Sequence, residues 1–293
     1  MTDRPNPFLA AILLGCAAFA GAQQPGAEAG QDPKPADVAR KLIAELKQKF
    51  AADNIAVDLQ AQTVTIPVVM NAPPEPIEYL LIHRKGKKHE AMLYTHSKPS
   101  LINGALLMLG LEPGKNASYR EKDPPPTLEE VEAGVDPLII TPPEGMEFWM
   151  TLQFDDVATG KPVEYCVEDL LYDLTARGPI DQVSWIYLGG RMASLYKGEE
   201  PVFVADFEGN LVSTCYLAPN NHLGTIKHAR ARDDQNWWLT ARCPEPGTEA
   251  KLVFHRKKPA LVVEREKRRA KEREAAKTEN PGTNPPENSR NGG

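Results

Sequence analysis

The strongest constraint on the fold of this chain is the spacing of its apolar residues. Apolar and polar side chains alternate with a period of two over residues 55–59, 64–68 and 148–154. This alternation predicts β-strands that bury one face. Helical patterns do not alternate regularly with these runs, so βαβ units are not expected. The sequence therefore predicts an α+β fold, a mainly antiparallel β-sheet domain with an N-terminal helix and one internal helix.

The two helices are predicted from local patterns. Residues 35–51 carry Leu46 and Phe50 on an apolar stripe with i, i+4 spacing. A second, apolar helix is predicted over residues 101–109, with Ser100 as its N-cap. Pro67 lies inside a predicted strand, where a missing N–H favours an edge strand or a bulge.

The N-terminus carries a targeting pattern. Residues 8–19 are an apolar run that follows one basic residue, Arg4, and precedes small residues ending at Ala22. This order is typical of a secretory signal, here residues 1–22. The run is shorter than the roughly 20 apolar residues that a transmembrane helix needs. The protein is therefore expected to be exported, to the periplasm or cell envelope or beyond the cell.

Three endings of this signal stay open. Small residues favour cleavage near Ala20 or Ala22. Alternatively, Cys16 follows Leu-Leu-Gly, which resembles a lipobox, and lipidation of Cys16 would anchor the protein. An uncleaved anchor is the third alternative. A membrane is expected as a partner only if Cys16 is lipidated.

Composition divides the rest of the chain. Residues 23–35 are polar and rich in Gly and Pro, which predicts a disordered linker, and residues 36–263 form the predicted folded domain. Residues 264–293 are highly charged and then rich in Asn, Pro and Gly, which predicts a charged, disordered C-terminal tail. The formal net charge of −6 gives no reason to expect nucleic acid as a partner.

Beyond Cys16, three cysteines remain: Cys166, Cys215 and Cys243. In an oxidising compartment two of them can pair in three ways, which leaves one thiol over. The alternative is that they are buried free thiols that pack as small apolar side chains.

Several segments, in a fixed order, carry a family resemblance. They are residues 78–81, 86–92, 99–101, 105–110, 141–145, 185–190, 205–206, 209–213 and 246–253. Together they resemble the YdjY-domain family of exported bacterial proteins. The resemblance implies a domain type and export, but it implies no reaction. Asn103 stands where relatives are expected to have histidine, and Gly190 and Arg191 stand where relatives often have Gly-Ser.

The main chemical candidate lies within residues 78–94, which we predict to form a hairpin around Gly86. In a hairpin, His83 and His89 would be cross-strand neighbours about 5 Å apart. Together with Glu90 they would offer ligands for a divalent cation. Alternation along a strand puts Glu90 on the face opposite His89, which weakens this site. The alternative is a pair of hydrogen-bonded histidines beside a basic turn.

The same turn carries four cations: Arg84, Lys85, Lys87 and Lys88. Charged turns of this kind are usually only solvated. The alternative is that they bind an anionic ligand, such as an acidic glycan or a lipid headgroup, or another envelope component.

No catalytic motif is present, and neither Ser184 nor Ser213 lies in a G-x-S-x-G elbow. We therefore expect an exported envelope protein that is a non-catalytic binding or interaction module, without a cofactor. The alternative is a metal-assisted hydrolase that uses His83, His89 and Glu90.

Overall fold

The computed structural model of the protein describes residues 35–279. The predicted signal with Cys16, most of the predicted linker and the end of the tail lie outside the described residues. Export, signal cleavage and lipidation therefore stay predictions.

Seventeen strands and five helices make up the described chain. The strands are β1 Ala56–Asp58, β2 Thr63–Met70, β3 Tyr79–His83, β4 Ala91–Thr95, β5 Ser118–Glu121, β6 Leu138–Thr141, β7 Glu147–Asp155, β8 Pro162–Cys166, β9 Leu171–Asp173, β10 Gly178–Pro179, β11 Trp185–Tyr187, β12 Met192–Ala193, β13 Val202–Phe203, β14 Asn210–Ser213, β15 Gly224–Ile226, β16 Trp237–Leu239 and β17 Glu249–His255. The helices are α1 Pro35–Ala52, α2 Pro99–Met108, α3 Leu128–Glu132, α4 Val204–Glu208 and α5 Ala260–Glu279.

Eight strands close into a β-barrel in the order β2–β17–β7–β11–β15–β14–β3–β4, and β4 pairs back with β2. Two of these pairings, β3 with β4 and β14 with β15, are parallel, and the other six are antiparallel. Closure leaves no free edge in this part of the sheet. The predicted mixture of helix and mainly antiparallel sheet is confirmed in outline, and the closed barrel is more specific than that prediction.

The predicted alternation is confirmed in the barrel core. Along β2 every second residue is buried, from Val64 to Met70, and β7 buries Phe148, Met150 and Leu152. Helix α2 adds its own buried side chains to the same core. Burial of these alternating apolar faces, at about 25 cal/mol per Å², supplies the main driving force for the fold.

Pro67 was expected at an edge or a bulge, and it lies within the barrel. Its strand, β2, pairs along one side with β17, where Pro67 is opposite Lys251. On its other side, β2 pairs with β1 as far as Thr65 and with β4 from Val69. Pro67 lies in the gap, where its missing N–H interrupts no ladder, and its carbonyl accepts a hydrogen bond from Thr95 Oγ1 at 2.7 Å.

The predicted tail begins at residue 264, but α5 continues unbroken to Glu279. Val262 is fully buried, and the Arg265 side chain is only 1% exposed. The Arg265 guanidinium donates to Asp169 Oδ1 at 2.9 Å and to the carbonyl of Ile180 at 2.7 Å. Residues 264–279 therefore differ from the disordered tail predicted for them, because a buried arginine attaches their helix to the domain.

The predicted N-cap of α2 is wrong. The N-cap is Lys98, and Ser100 lies inside the helix, where its N–H donates to Asp206 Oδ1 at 2.8 Å. Farther along the chain, α4 separates β13 from β14, and these two strands do not pair with each other.

Cys166, Cys215 and Cys243 are free thiols in the structure; Cys166 and Cys215 are buried, as the alternative of free thiols expected, and Cys243 is half-buried. Burial raises the pKa of each thiol, to about 12 for Cys166 and Cys243. Within residues 35–279, no helix is both long and apolar enough to cross a membrane.

Candidate functional site

The predicted hairpin over residues 78–94 is wrong, because β3 and β4 are parallel. Tyr79 is opposite Ala91 and His83 is opposite Thr95, so residues 84–90 return along the strand pair before β4 begins. We call residues 84–90 the basic connection. All five residues of β3 are buried, since both its faces are covered. A strand of this kind has no polar face from which its partner or direction can be read.

The basic connection is held closely against α4. The carbonyl of Gly209, which follows α4, accepts a hydrogen bond from the His83 N–H at 2.7 Å. The Gly86 N–H donates to the carbonyl of His83, also at 2.7 Å. A Cβ added to Gly86 would lie 2.7 Å from the Gly209 oxygen, so only glycine fits at this close approach. The backbone of the connection is therefore fixed by packing.

Two of the four cations in the connection have partners in the structure. Lys87 Nζ lies 3.1 Å from Glu90 Oε2 and 3.8 Å from Glu78 Oε2. Lys88 Nζ lies 4.1 Å from the centre of the Tyr94 ring, within cation–π distance. Arg84 and Lys85 are exposed, and within residues 35–279 neither forms an ion pair.

Glu78 and Glu90 form a hydrogen-bonded carboxyl pair beside Lys87. Burial, the hydrogen bond to Glu90 and the negative charge of Glu90 raise the pKa of Glu78 to about 7. Burial acts in the same direction on Glu90, but hydrogen bonds from Lys87 and Glu78 outweigh it and lower the pKa of Glu90. The pair therefore holds one proton below about pH 7 and loses it as pH rises through that value.

Tyr79 lies next to this pair and is fully buried. Its hydroxyl has no hydrogen-bond partner among the described residues. Lys87 Nζ lies 5.9 Å from the centre of the Tyr79 ring, so this ring lies beneath the basic connection. Burial and the nearby carboxylates raise the pKa of Tyr79, so its hydroxyl stays protonated.

The structure does not bring together the residues predicted to bind a metal ion. His89 Nε2 lies 3.1 Å from Glu90 Oε1, at the end of the strand pair where β4 begins. His83 lies at the opposite end of β3, about 13 Å away for a five-residue strand. The two histidines are therefore not cross-strand neighbours. Among residues 35–279, no three His, Cys, Asp or Glu side chains are grouped to hold a metal ion.

Replacing Glu78 with glutamine is expected to stabilise the protein in alkaline solution. A carboxyl whose folded-state pKa is raised stabilises the fold below its unfolded pKa, and this contribution is lost as pH rises through about 7. At pH 8 the variant should gain about 1–2 kcal/mol over the parent, less than the full shift implies because the pair is partly hydrated. Urea unfolding at pH 5 and pH 8 measures this. The exposed Glu132→Gln variant is the control, and an equal gain at both pH values would contradict the prediction.

Sequence reasoning missed a second polar cluster, at the end of the barrel where β14 and β15 begin. The His222 ring is buried, and its Nε2 lies 2.7 Å from Glu208 Oε2. Arg191 Nη2 lies 3.3 Å from the other oxygen of Glu208. Burial lowers the pKa of His222 although Glu208 acts to raise it. Residues 208 and 222 carry no motif, and only the fold brings them together.

Of the three positions singled out in the family resemblance, Gly190 and Arg191 adjoin this cluster, and Asn103 contacts Tyr187. Asn103 Oδ1 accepts a hydrogen bond from the buried Tyr187 hydroxyl at 2.6 Å. The Gly190 N–H donates to the carbonyl of His222 at 2.7 Å, and a Cβ on Gly190 would lie 2.4 Å from the Phe203 ring. Asn103 and Gly190 thus have structural contacts of their own.

Comparison of the chain with models of protein families, with curated proteins and with solved structures gives no match.

Proposed function

We propose that the protein is an exported envelope protein and a non-catalytic binding module that binds an anionic ligand at the basic connection. One observation carries this proposal: a segment with four cations is held rigid on the barrel. Gly86 packs against Gly209, Lys87 is paired with Glu90, and Lys88 covers Tyr94. A site whose backbone is already ordered loses little entropy when a ligand binds.

Arg84 and Lys85 are the cations that a ligand would reach first. Both are exposed and next to the fixed Gly86. The export half of the proposal rests on the apolar run of residues 8–19 and the small residues after it. We also propose the YdjY-like assignment. In its support, the segments that carry the resemblance include most of β3, the start of β4 and all of β11 and β14.

The alternative metal-assisted hydrolase has less support. It required His83 beside His89 and Glu90, and the parallel register separates them. The neighbour of Glu90 is instead Glu78, and the Lys87 ammonium lies 3.1 Å from Glu90 and 3.8 Å from Glu78. A metal ion would therefore have to displace a cation that already pairs with these groups. Calorimetry with Zn²⁺, Ca²⁺ and Mg²⁺ tests this alternative directly. Saturable binding that is lost in Glu90→Gln would restore it.

Reversing the two exposed cations should remove anion binding. For Arg84→Glu/Lys85→Glu we expect the affinity for a heparin oligosaccharide at 50 mM salt to fall by about 2 kcal/mol, or roughly 30-fold. The parent affinity should weaken as salt is added, because the contacts are exposed. Calorimetry or fluorescence anisotropy measures both effects.

The matched control is Lys41→Glu/Lys49→Glu on α1, which changes net charge by the same amount at another exposed site. It should retain the parent affinity within about twofold. Equal losses in both double variants would mean that the probe senses only net charge, and the proposed site would then be rejected.

A further inference from the structure

Exposed apolar side chains lie next to the basic connection. A Cβ on Gly209 would lie 3.3 Å from the Lys85 carbonyl carbon, so the end of α4 touches the connection. Phe207, two residues earlier in α4, is 62% exposed. A large aromatic side chain thus faces solvent within a few residues of two unpaired cations, Arg84 and Lys85.

A second apolar element adjoins Phe207 through an ion pair. Arg191 pairs with Glu208, the neighbour of Phe207, at 3.3 Å. Met192, next to Arg191, begins β12 and is 61% exposed. We call Arg84, Lys85, Met192 and Phe207 the Phe207 surface.

The acidic groups closest to Phe207 are already neutralised. Asp206 accepts from the Ser100 N–H at 2.8 Å and lies 3.4 Å from Lys98 Nζ. Glu208 is bound by Arg191 and by the His222 ring. The cations of Arg84 and Lys85 therefore dominate on this side. The loop between β12 and β13 carries the exposed Glu199 and Glu200, and it also carries the exposed Lys197.

We propose that the Phe207 surface rests on an anionic lipid bilayer, with Phe207 and Met192 in the headgroup region and Arg84 and Lys85 against lipid phosphates. The inference deepens the proposed function, on which it rests, by naming the anion. Aromatic and apolar side chains beside cations are the combination that favours a bilayer surface over a soluble anion. A soluble anion would use the cations but would gain nothing from Phe207 or Met192. This contact does not require lipidation of Cys16.

The test uses the full chain with Cys16→Ser, which carries no lipid, and measures sedimentation with vesicles. We expect binding to vesicles that contain phosphatidylglycerol and much weaker binding to pure phosphatidylcholine. Phe207→Ser/Met192→Ser should lose about tenfold in affinity for the anionic vesicles and keep the heparin affinity of the parent. Arg84→Ala/Lys85→Ala should lose affinity for both probes, by about fivefold for each cation on vesicles.

Two further variants complete the test. Leu128→Ser/Val131→Ser removes exposed apolar residues from α3, elsewhere on the surface, and should bind vesicles like the parent. Glu199→Gln/Glu200→Gln should bind anionic vesicles more tightly. Every variant is compared with the same parent, so contributions from residues before Pro35 cancel. Parent-like vesicle binding by Phe207→Ser/Met192→Ser, or no parent binding to anionic vesicles, overturns the bilayer proposal. Heparin binding that is insensitive to Arg84 and Lys85 overturns the proposed function instead.

Discussion

Replacing Arg265 with alanine is expected to lower the free energy of unfolding by about 3 kcal/mol. The buried guanidinium donates to Asp169 and to the carbonyls of Glu168 and Ile180. Its loss leaves two buried carbonyls without this donor. This loss of stability is at the lower end of the range for breaking a buried ion pair, about 3–5 kcal/mol. The reason is that Asp169 keeps a second partner, Arg268, at 2.9 Å. Urea unfolding measures the loss, and hydrogen exchange should show that residues 260–279 open first.

Arg273 on the same helix provides the control. It pairs with Asp181 at 3.0 Å, but both side chains are exposed to solvent. Arg273→Ala should therefore cost less than 1 kcal/mol. If Arg265→Ala were as mild as Arg273→Ala, α5 would not be attached to the domain through the buried arginine, and its place in the fold would have to be revised.

The second large effect is expected at Gly209. Its φ of +79° is unfavourable for any residue with a Cβ, and that Cβ would lie 2.7 Å from the backbone nitrogen of Gly86. The strain of the left-handed conformation costs about 1–2 kcal/mol, and the collision with backbone adds to it. Gly209→Ala should lose about 2–4 kcal/mol of stability. It should also weaken heparin binding, because the basic connection must move away from α4.

Gly247→Ala separates the two causes. Gly247 has a φ of +87°, but no atom lies within 4 Å of an added Cβ. This variant should lose only the strain energy of about 1–2 kcal/mol and retain full heparin affinity. Thermal melts and anisotropy on both variants give the comparison. Equal losses of stability with unchanged binding would show that the contact between Gly209 and Gly86 does not position the cations.

Local sequence patterns predicted well where strands and helices lie, but they predicted poorly which strands pair with each other. The alternation of β2 and β7 identified their buried faces correctly, since that signal lies within each strand. Closure of the barrel depends instead on pairings between distant segments, such as β14 with β3 and β17 with β2. Two apolar runs around Gly86 have the sequence of a hairpin. In a closed ring the number of antiparallel pairs must be even. Because β14 and β15 are parallel and the other six pairs are antiparallel, the barrel closes only if β3 and β4 are parallel too.

The sequence identified most of the residues of the candidate site, but it did not predict how they are arranged in space. The cations of the basic connection and the acid Glu90 were identified from sequence, but His83 was assigned to the wrong end. Glu78 gains its importance only from the parallel register, which places its N–H against the Glu90 carbonyl at 2.9 Å. Arg265 was missed for a related reason. It lies in a helix without an apolar stripe. Its burial depends on Asp169, which lies far earlier in the chain, between β8 and β9.

The order in which strands join the barrel also determines when the protein can fold. Val64 in β2 pairs with Phe254 in β17, so the ring of strands cannot close until almost the whole domain has been synthesised. Contacts between such distant residues make folding slow, because a long loop must be ordered before any pairing compensates. We therefore expect the newly made chain to remain open for longer than a helical protein of equal length. The export proposed above would be helped by a chain that stays open in this way.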